Sequence, residues 1–331
     1  VDDASNFSQN DPIFVAGANG LAGSAICRSL RNHGFNNLLT PRKKELDLTN
    51  YADVESWFSI HKPSVVILCA AKVGGILANF NYPGDFILEN LKIQNNVIEL
   101  SWKNNVKRFI FLGSSCIYPK YAKQPMSEDS LLTGQLENTN RAYAIAKISG
   151  IELCESLRKQ YGFNAISLMP TNLYGPGDNY LLNESHVLPA LVRRFSVATR
   201  KSQKEVVCWG TGNPLREFLY SDDLGNATIF LMKNWNTKAD NILNNDYDSP
   251  SIFNIGSGNE ISIKELAKKI AKLTGFEGAI IWDSSKPDGT PRKLLDISKI
   301  QKIGWAPKVN LEEGLENVIK DFHINHLENC L

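Results

Sequence analysis

The chain has 331 residues, 43% hydrophobic and 21% charged, an ordinary globular composition with length enough for one large α/β domain or two smaller ones. Its 36 Lys and Arg against 35 Asp and Glu leave a formal charge of +1, which gives no broad field for nucleic acid or an anionic membrane, so any anion recognition is local. The six cysteines (Cys27, Cys69, Cys116, Cys154, Cys208 and Cys330) lie far apart with no Cys-x-x-Cys pair, and no histidine stands at metal-ligand spacing, which argues against a disulfide framework or a bound metal and for a reducing cytoplasm.

The opening segment, 1–12, is polar and acidic, unlike the layout of a signal peptide, and reads as a tail. Behind it, apolar runs at 13–16, 37–40, 64–69, 108–112 and 164–169 alternate with amphipathic stretches at 22–32, 52–61, 86–104 and 142–161. No apolar run reaches the 18 residues that a membrane span needs. Strands separated by helices of this length imply βαβ units and a parallel sheet covered on both faces, an α/β doubly wound Rossmann fold. Beyond 176 the loops lengthen, with a helix expected at 187–198, a strand at 205–209 and a late helix at 263–273. The segment 222–233, followed by 251–255, reads as one more helix and strand returning to the sheet. The implied organisation is a cofactor-binding domain over 12–175 with 222–257 returning to it, and a smaller interleaved substrate-binding lobe from 176–221 and 258–328. The Asn- and Asp-rich stretch 239–250 reads as an exposed loop, and no internal repeat is present.

Gly17, Gly20 and Gly23 fall directly between the first strand and the first helix, with Asn19 and Leu21 in the same turn. Such a turn sets backbone amides and a helix N-terminus against a pyrophosphate, and the glycines allow close approach. Nucleotide choice is made at the end of the second strand, where an acid binds a ribose 2′-hydroxyl and a cation accepts a 2′-phosphate. There the chain reads Thr40-Pro41-Arg42-Lys43-Lys44, which favours NADP(H) over a merely solvated basic loop. Asp47 and Leu48, just beyond, suit an adenine contact.

Strand 108–112 runs into Gly113-Ser114-Ser115-Cys116, and the next helix carries Tyr143 and Lys147 one turn apart on one face. A neighbouring ammonium stabilises phenolate, lowers the tyrosine pKa and makes Tyr143 a usable proton donor and acceptor. This is the sole Tyr-x-x-x-Lys pair in the chain, at a separation from Ser114 that lets hydroxyl and phenol converge on one carbonyl. If the strand persists, Ser115 points the other way from its neighbours and has no part in the chemistry. Cys116 reads either as a proton shuttle, if cations lie near it, or as a small buried hydrophobe.

The strings at 70–76 (AAKVGGI), 112–120 (LGSSCIYPK), 143–148 (YAIAKI), 169–176 (MPTNLYGP) and 286–293 (KPDGTPRK) resemble the GDP-L-fucose synthase family of extended short-chain dehydrogenases/reductases. The resemblance runs from about Pro12 to Phe322. It implies epimerisation of GDP-4-keto-6-deoxy-D-mannose at C3 and C5, then NADPH reduction of the C4 ketone. Tyr143, Lys147 and Ser114 would act on the carbonyl, with Cys116 as base and His186 as acid. The implied cofactor contacts add Leu112, Gly113, Ser115, Pro170, Asn172, Leu173 and His186 to the glycine turn, Arg42, Lys43, Asp47, Leu48, Tyr143 and Lys147. Arg194, Trp209, Arg216 and Asp288 would hold the nucleotide sugar, and helices 86–104 and 142–161 would pair into a homodimer bundle. Asn19 and the Arg141-Ala142 pair depart from the family pattern, so Arg42 and Lys43 must carry more of the 2′-phosphate preference. A dehydratase would need a carboxylic acid where Cys116 stands; another nucleotide-sugar 4-epimerase or reductase, or a non-catalytic NADP-binding regulator, are the remaining alternatives.

Overall fold

The computed structural model describes residues 7–181, 185–235, 251–286 and 288–330; the expected exposed loop at 239–250 lies outside them. Six parallel strands form the central sheet: β1 (Ile13–Ala16), β2 (Leu38–Leu39), β3 (Val65–Leu68), β4 (Arg108–Leu112), β5 (Ala165–Pro170) and, after an excursion, β9 (Ile252–Ile255). Their order is β2-β1-β3-β4-β5-β9, so the chain reverses direction across the sheet between β1 and β3. Every residue of β1, β3, β4, β5 and β9 is buried, as expected of strands covered on both faces. This is the doubly wound architecture that the alternating runs imply.

The helices cover the sheet because each has one apolar stripe and little else to do with it. Helix α1 (Leu21–Asn32) follows the glycine turn, and α2 (Tyr51–His61) starts where the Asn50 side chain accepts from the Ala52 amide. Helices α3 (Ile76–Asn81), α4 (Pro83–Lys103) and α5 (Arg141–Tyr161) follow, α4 opening on a proline at its first turn and α5 ending at Gly162 with φ 70°. Asn90 in α4 is buried and holds the 70–75 loop in place, its Nδ2 donating to the Lys72 carbonyl and its Oδ1 accepting from the Lys72 amide.

The chain then builds a second body. Strand β6 (Asn172–Tyr174) pairs with β8 (Leu215–Tyr220), which also carries β10 (Glu260–Ser262) and β12 (Arg292–Lys293). Strand β7 (Glu205–Trp209) pairs with β11 (Ala279–Asp283). Helix α6 (Val187–Arg200), α8 (Ile263–Thr274, with a Ser262/Glu265 capping box) and α10 (Leu311–Asn325) enclose a separate hydrophobic cluster of Leu188, Phe195, Phe218, Leu266, Val318 and Phe322. Helix α7 (Ser221–Asn234) returns to the sheet and packs beside α1, where a Cβ on Gly225 would meet the Ala25 carbonyl at 2.7 Å. The central sheet and its helices share a first hydrophobic cluster, which includes Phe14, Ile67, Phe111 and Phe253, and a short α9 (Ser298–Lys302) belongs to it through Ile300.

The two bodies meet at Glu217 on β8, which is 0% exposed. Its carboxylate accepts from the Gly258 and Leu295 amides, while its backbone carbonyl accepts from Asn172 Nδ2. Burial raises the Glu217 pKa, and these donors partly offset the cost of a buried carboxylate. Strands β6, β8, β10, β11 and β12 and helices α3, α9 and α10 were not anticipated from the sequence.

Candidate active site

The C-terminal ends of β1, β3, β4 and β5 converge beside the switch point, where open α/β sheets hold their ligands. At the first of them Gly17 has φ 85°, and a Cβ there would stand 2.6 Å from the Ala70 amide nitrogen. A Cβ on Gly23 would lie 2.2 Å from the Gly17 carbonyl, so those two glycines are required by the turn itself. Gly20 is different. Its Cβ would have open space with only the Gly17 carbonyl at 3.6 Å, so Gly20 serves what approaches the turn rather than the turn. Helix α1 begins there without a side-chain cap and without an acid in its first turn, leaving its N–H groups for an anion. This cradle fits a dinucleotide pyrophosphate.

Around it, Asp47 binds the Thr49 amide and hydroxyl at 3.0 and 2.8 Å, and these bonds hold its carboxyl below the usual carboxylate range. Lys43 pairs with Glu89 at 3.5 Å. Arg42 and Lys44 are exposed, and Leu48 packs on the first cluster. Leu112 and Gly113 close β4, with Gly113 so near Met169 that a Cβ would meet its sulfur at 2.4 Å. Pro170 ends β5; Asn172 and Leu173 follow in β6 and are half-buried.

Strand β4 stops at Leu112, and 115–117 form one turn of 3₁₀ helix instead of more strand. The expectation that Ser115 points away along a persisting strand is therefore corrected: Ser115 is buried in that turn. Ser114 caps it, its Oγ accepting from the Cys116 amide at 3.2 Å, and the same hydroxyl lies close enough to the Tyr143 phenol to influence its pKa. Lys147 is buried and donates from Nζ to the Leu112 carbonyl at 2.7 Å, with Nζ 5.9 Å from the Tyr143 ring. The expected lowering of the Tyr143 pKa does not occur. Burial pushes it up, Cys116 adds to the rise, and only the Ser114 hydroxyl opposes them. Burial also pulls Lys147 down to about 8. For both groups burial is the leading cause, ahead of any neighbouring charge.

Cys116 Sγ receives two N–H donors, Asn140 Nδ2 at 3.3 Å and Lys293 Nζ at 3.4 Å. Neither Asn140 nor Lys293 was singled out from the sequence. The Asn140 Oδ1 is buried with no partner, a free acceptor beside the sulfur. His186, the N-cap of α6, opens toward solvent, yet the protein around it lowers its pKa, with the Lys293 charge the second cause. Lys293 thus acts on both His186 and Cys116.

Lys293 is the register partner of Arg216 across β12 and β8. Like charges side by side on adjacent strands repel unless an anion joins them. Burial lowers the Arg216 pKa, while Asp288 and Cys116 oppose that shift. Asp288 accepts from the Thr211 amide and hydroxyl at 2.7 and 2.8 Å, fixing the turn after Trp209. Trp209 is 52% exposed and carries the Arg194 guanidinium 5.3 Å from its ring and Lys286 at 5.7 Å. Among the described residues, no three or more His, Cys, Asp or Glu side chains gather as metal ligands would.

The model of the NAD dependent epimerase/dehydratase family matches residues 13–256. The chain is 54% identical over 317 residues to GDP-L-fucose synthase 1 of Arabidopsis thaliana, covering 96% of this chain and 94% of that one. Among solved structures, a GDP-6-OMe-4-keto-L-xylo-heptose reductase from C. jejuni superposes with a TM-score of 0.91 at 37% identity, covering 97% and 99% of the two chains. A GDP-L-fucose synthetase from Naegleria fowleri bound to NADP superposes with a TM-score of 0.85 at 26% identity, covering 97% and 96%.

Proposed function

The chain belongs to the NAD dependent epimerase/dehydratase family, and from that membership we propose that it converts GDP-4-keto-6-deoxy-D-mannose to GDP-L-fucose, with epimerisation at C3 and C5 preceding reduction of the C4 ketone. It is an NADP-dependent oxidoreductase with epimerase activity on GDP-sugars, a reading supported by the GDP-L-fucose synthases it resembles and by the GDP-L-fucose synthetase bound to NADP. The observation that carries the specific reaction is the Cys116 sulfur facing Asn140 and Lys293, beside the Ser114 and Tyr143 hydroxyls.

The chemistry follows from those positions. Tyr143 and Ser114 hold the C4 oxygen, so loss of a proton from C3 or C5 leaves an enolate whose charge they stabilise. Cys116 takes the carbon-bound proton as thiolate, and His186 returns one from the opposite face. Lys293 offsets the thiolate charge and its position beside Arg216 favours the diphosphate of the sugar nucleotide. Arg194 and Trp209 extend that contact, and Asp288 holds the Thr211 turn that shapes it. When bound, the cofactor supplies the hydride for C4; Tyr143 then gives its proton to the C4 oxygen. Gly17, Gly20 and Gly23, with Asn19 and Leu21, receive the pyrophosphate.

The same proposal divides the chain at 12–175 with 222–257, and 176–221 with 258–328, a division supported by the two hydrophobic clusters, although Leu295, Ile297 and Trp305 pack on the first. It includes a homodimer through α4 and α5, supported by exposed Phe80, Tyr82 and Leu88 nearby, and light scattering should give twice 36.9 kDa rather than that mass itself. A cytoplasmic setting is consistent with six free cysteines. No helix among the described residues is long and apolar enough to cross a membrane. The deciding experiment supplies GDP-4-keto-6-deoxy-D-mannose and follows NADPH absorbance: the expected result is consumption with GDP-L-fucose formed, and folded protein that consumes none would overturn the proposal.

A further inference from the structure

A hollow of about 280 Å³ lies beside the glycine turn, lined by Asn19, Ser24, Cys27, Arg28, Arg31 and Thr40. It joins the turn that receives the pyrophosphate to the residue that follows β2, the place where a Rossmann fold meets the adenosine ribose. Ser24, Cys27, Arg28 and Arg31 are one stripe of α1, and helical side chains lean toward the N-terminus, so Arg31 reaches toward the glycine turn.

The two arginines are not equivalent. Arg28 is committed to Asp222 on α7 through Nε at 3.0 Å and through Nη2. Arg31 is exposed and, among the described residues, its guanidinium has neither an ion-pair nor a hydrogen-bond partner. Its charge is felt within the hollow: burial raises the Cys27 thiol pKa, and Arg31 is the first group to oppose that rise. Neither Arg42 nor Lys43 lines this space, and Lys43 is turned to Glu89.

We propose that Arg31 selects NADP(H), its guanidinium taking the adenosine 2′-phosphate in this hollow with Asn19, Ser24 and Thr40 as polar neighbours. The assignment rests on the reading that NADP(H) is the cofactor. It places the decisive cation on the last turn of α1 instead of in the basic loop after β2. A guanidinium suits the role because it offers a phosphate two parallel N–H donors. Had Arg31 served only the C-terminal dipole of α1, its loss would not distinguish one nucleotide from another.

The test is calorimetric titration of the full chain with adenosine 2′,5′-bisphosphate and, separately, with adenosine 5′-monophosphate. The parent should bind the bisphosphate more tightly. Arg31→Gln should weaken bisphosphate binding about 10- to 100-fold, the range for a lost charge-assisted hydrogen bond, with the monophosphate unchanged. Lys43→Gln should weaken it less than about threefold. If the parent binds both nucleotides equally, the NADP(H) reading itself fails. If the parent discriminates and Arg31→Gln discriminates as well as the parent does, Arg31 is not the selecting residue and the inference is overturned. Equal loss of both nucleotides in Arg31→Gln would mean a structural role and would overturn it too.

Discussion

Tyr143→Phe is expected to slow ketone reduction about 10²- to 10⁴-fold, the range for loss of a positioned general acid, without loss of fold. In the proposed mechanism the phenol, beside the Ser114 hydroxyl, places the proton on the C4 oxygen. Phe keeps the ring, its packing and its distance from Lys147, so the change isolates the hydroxyl. Lys147 gives the same step a pH signature. Its pKa is pulled down from 10.5 to about 8 by burial, so its charge is present below about pH 8 and lost above it. A positive charge near the phenol favours developing phenolate as Tyr143 releases its proton. The parent's kcat/KM for reduction should therefore fall as pH rises through about 8, and Lys147→Arg, which stays charged, should move that inflection out of the range. A flat profile in the parent, or an unaltered rate in Tyr143→Phe, would remove these residues from proton transfer.

Cys116→Ser is expected to lower the incorporation of solvent deuterium at C3 and C5 about 10²- to 10⁴-fold, measured by NMR on recovered sugar nucleotide. Serine occupies nearly the same volume and still accepts from Asn140 and Lys293, but its hydroxyl is a far weaker acid than a thiol, so the basic form is scarcely populated. The two variants separate the stages: Cys116→Ser fails at exchange, whereas Tyr143→Phe chiefly fails at hydride transfer. Equal exchange in Cys116→Ser and the parent would show that another group removes the proton.

The sheet and its covering helices were legible because each carries a strong local signal. Strands β1 and β3 are unbroken apolar runs, β4 and β5 are apolar but for Arg108 and Ser167, and α1 and α5 have an apolar stripe with a glycine turn or Gly162 at one end. Strands β10 and β12 have three and two residues, too short for any period to emerge, and exist through pairing with β8. Helix α10 was missed although its signals are present: Asn310 caps it, Glu312 and Glu313 open it, and Leu315, Ile319 and Phe322 recur along one face. At the site, Ser114, Tyr143 and Lys147 could be found because they sit at diagnostic spacing. Lys293 could not, since it meets Cys116 across 177 residues of sequence. The direction of the Tyr143 pKa was also beyond reach, because it depends on how much protein the fold packs around the phenol, and a sequence states who is near but not how closely they enclose it.

The buried carboxylate of Glu217 has a bearing on evolutionary freedom at this site. Leu295, whose amide it accepts, is two residues past Lys293, so it anchors the strand that delivers Lys293 to the Cys116 sulfur. The Gly258 and Leu295 groups facing the carboxylate are both hydrogen donors, and Gln at 217 would turn an NH₂ toward one of them. A side chain outside the glycine turn and the Cys116 cluster is therefore fixed by two donors of its own, and glutamine, so often a neutral replacement for glutamate, is the wrong letter there.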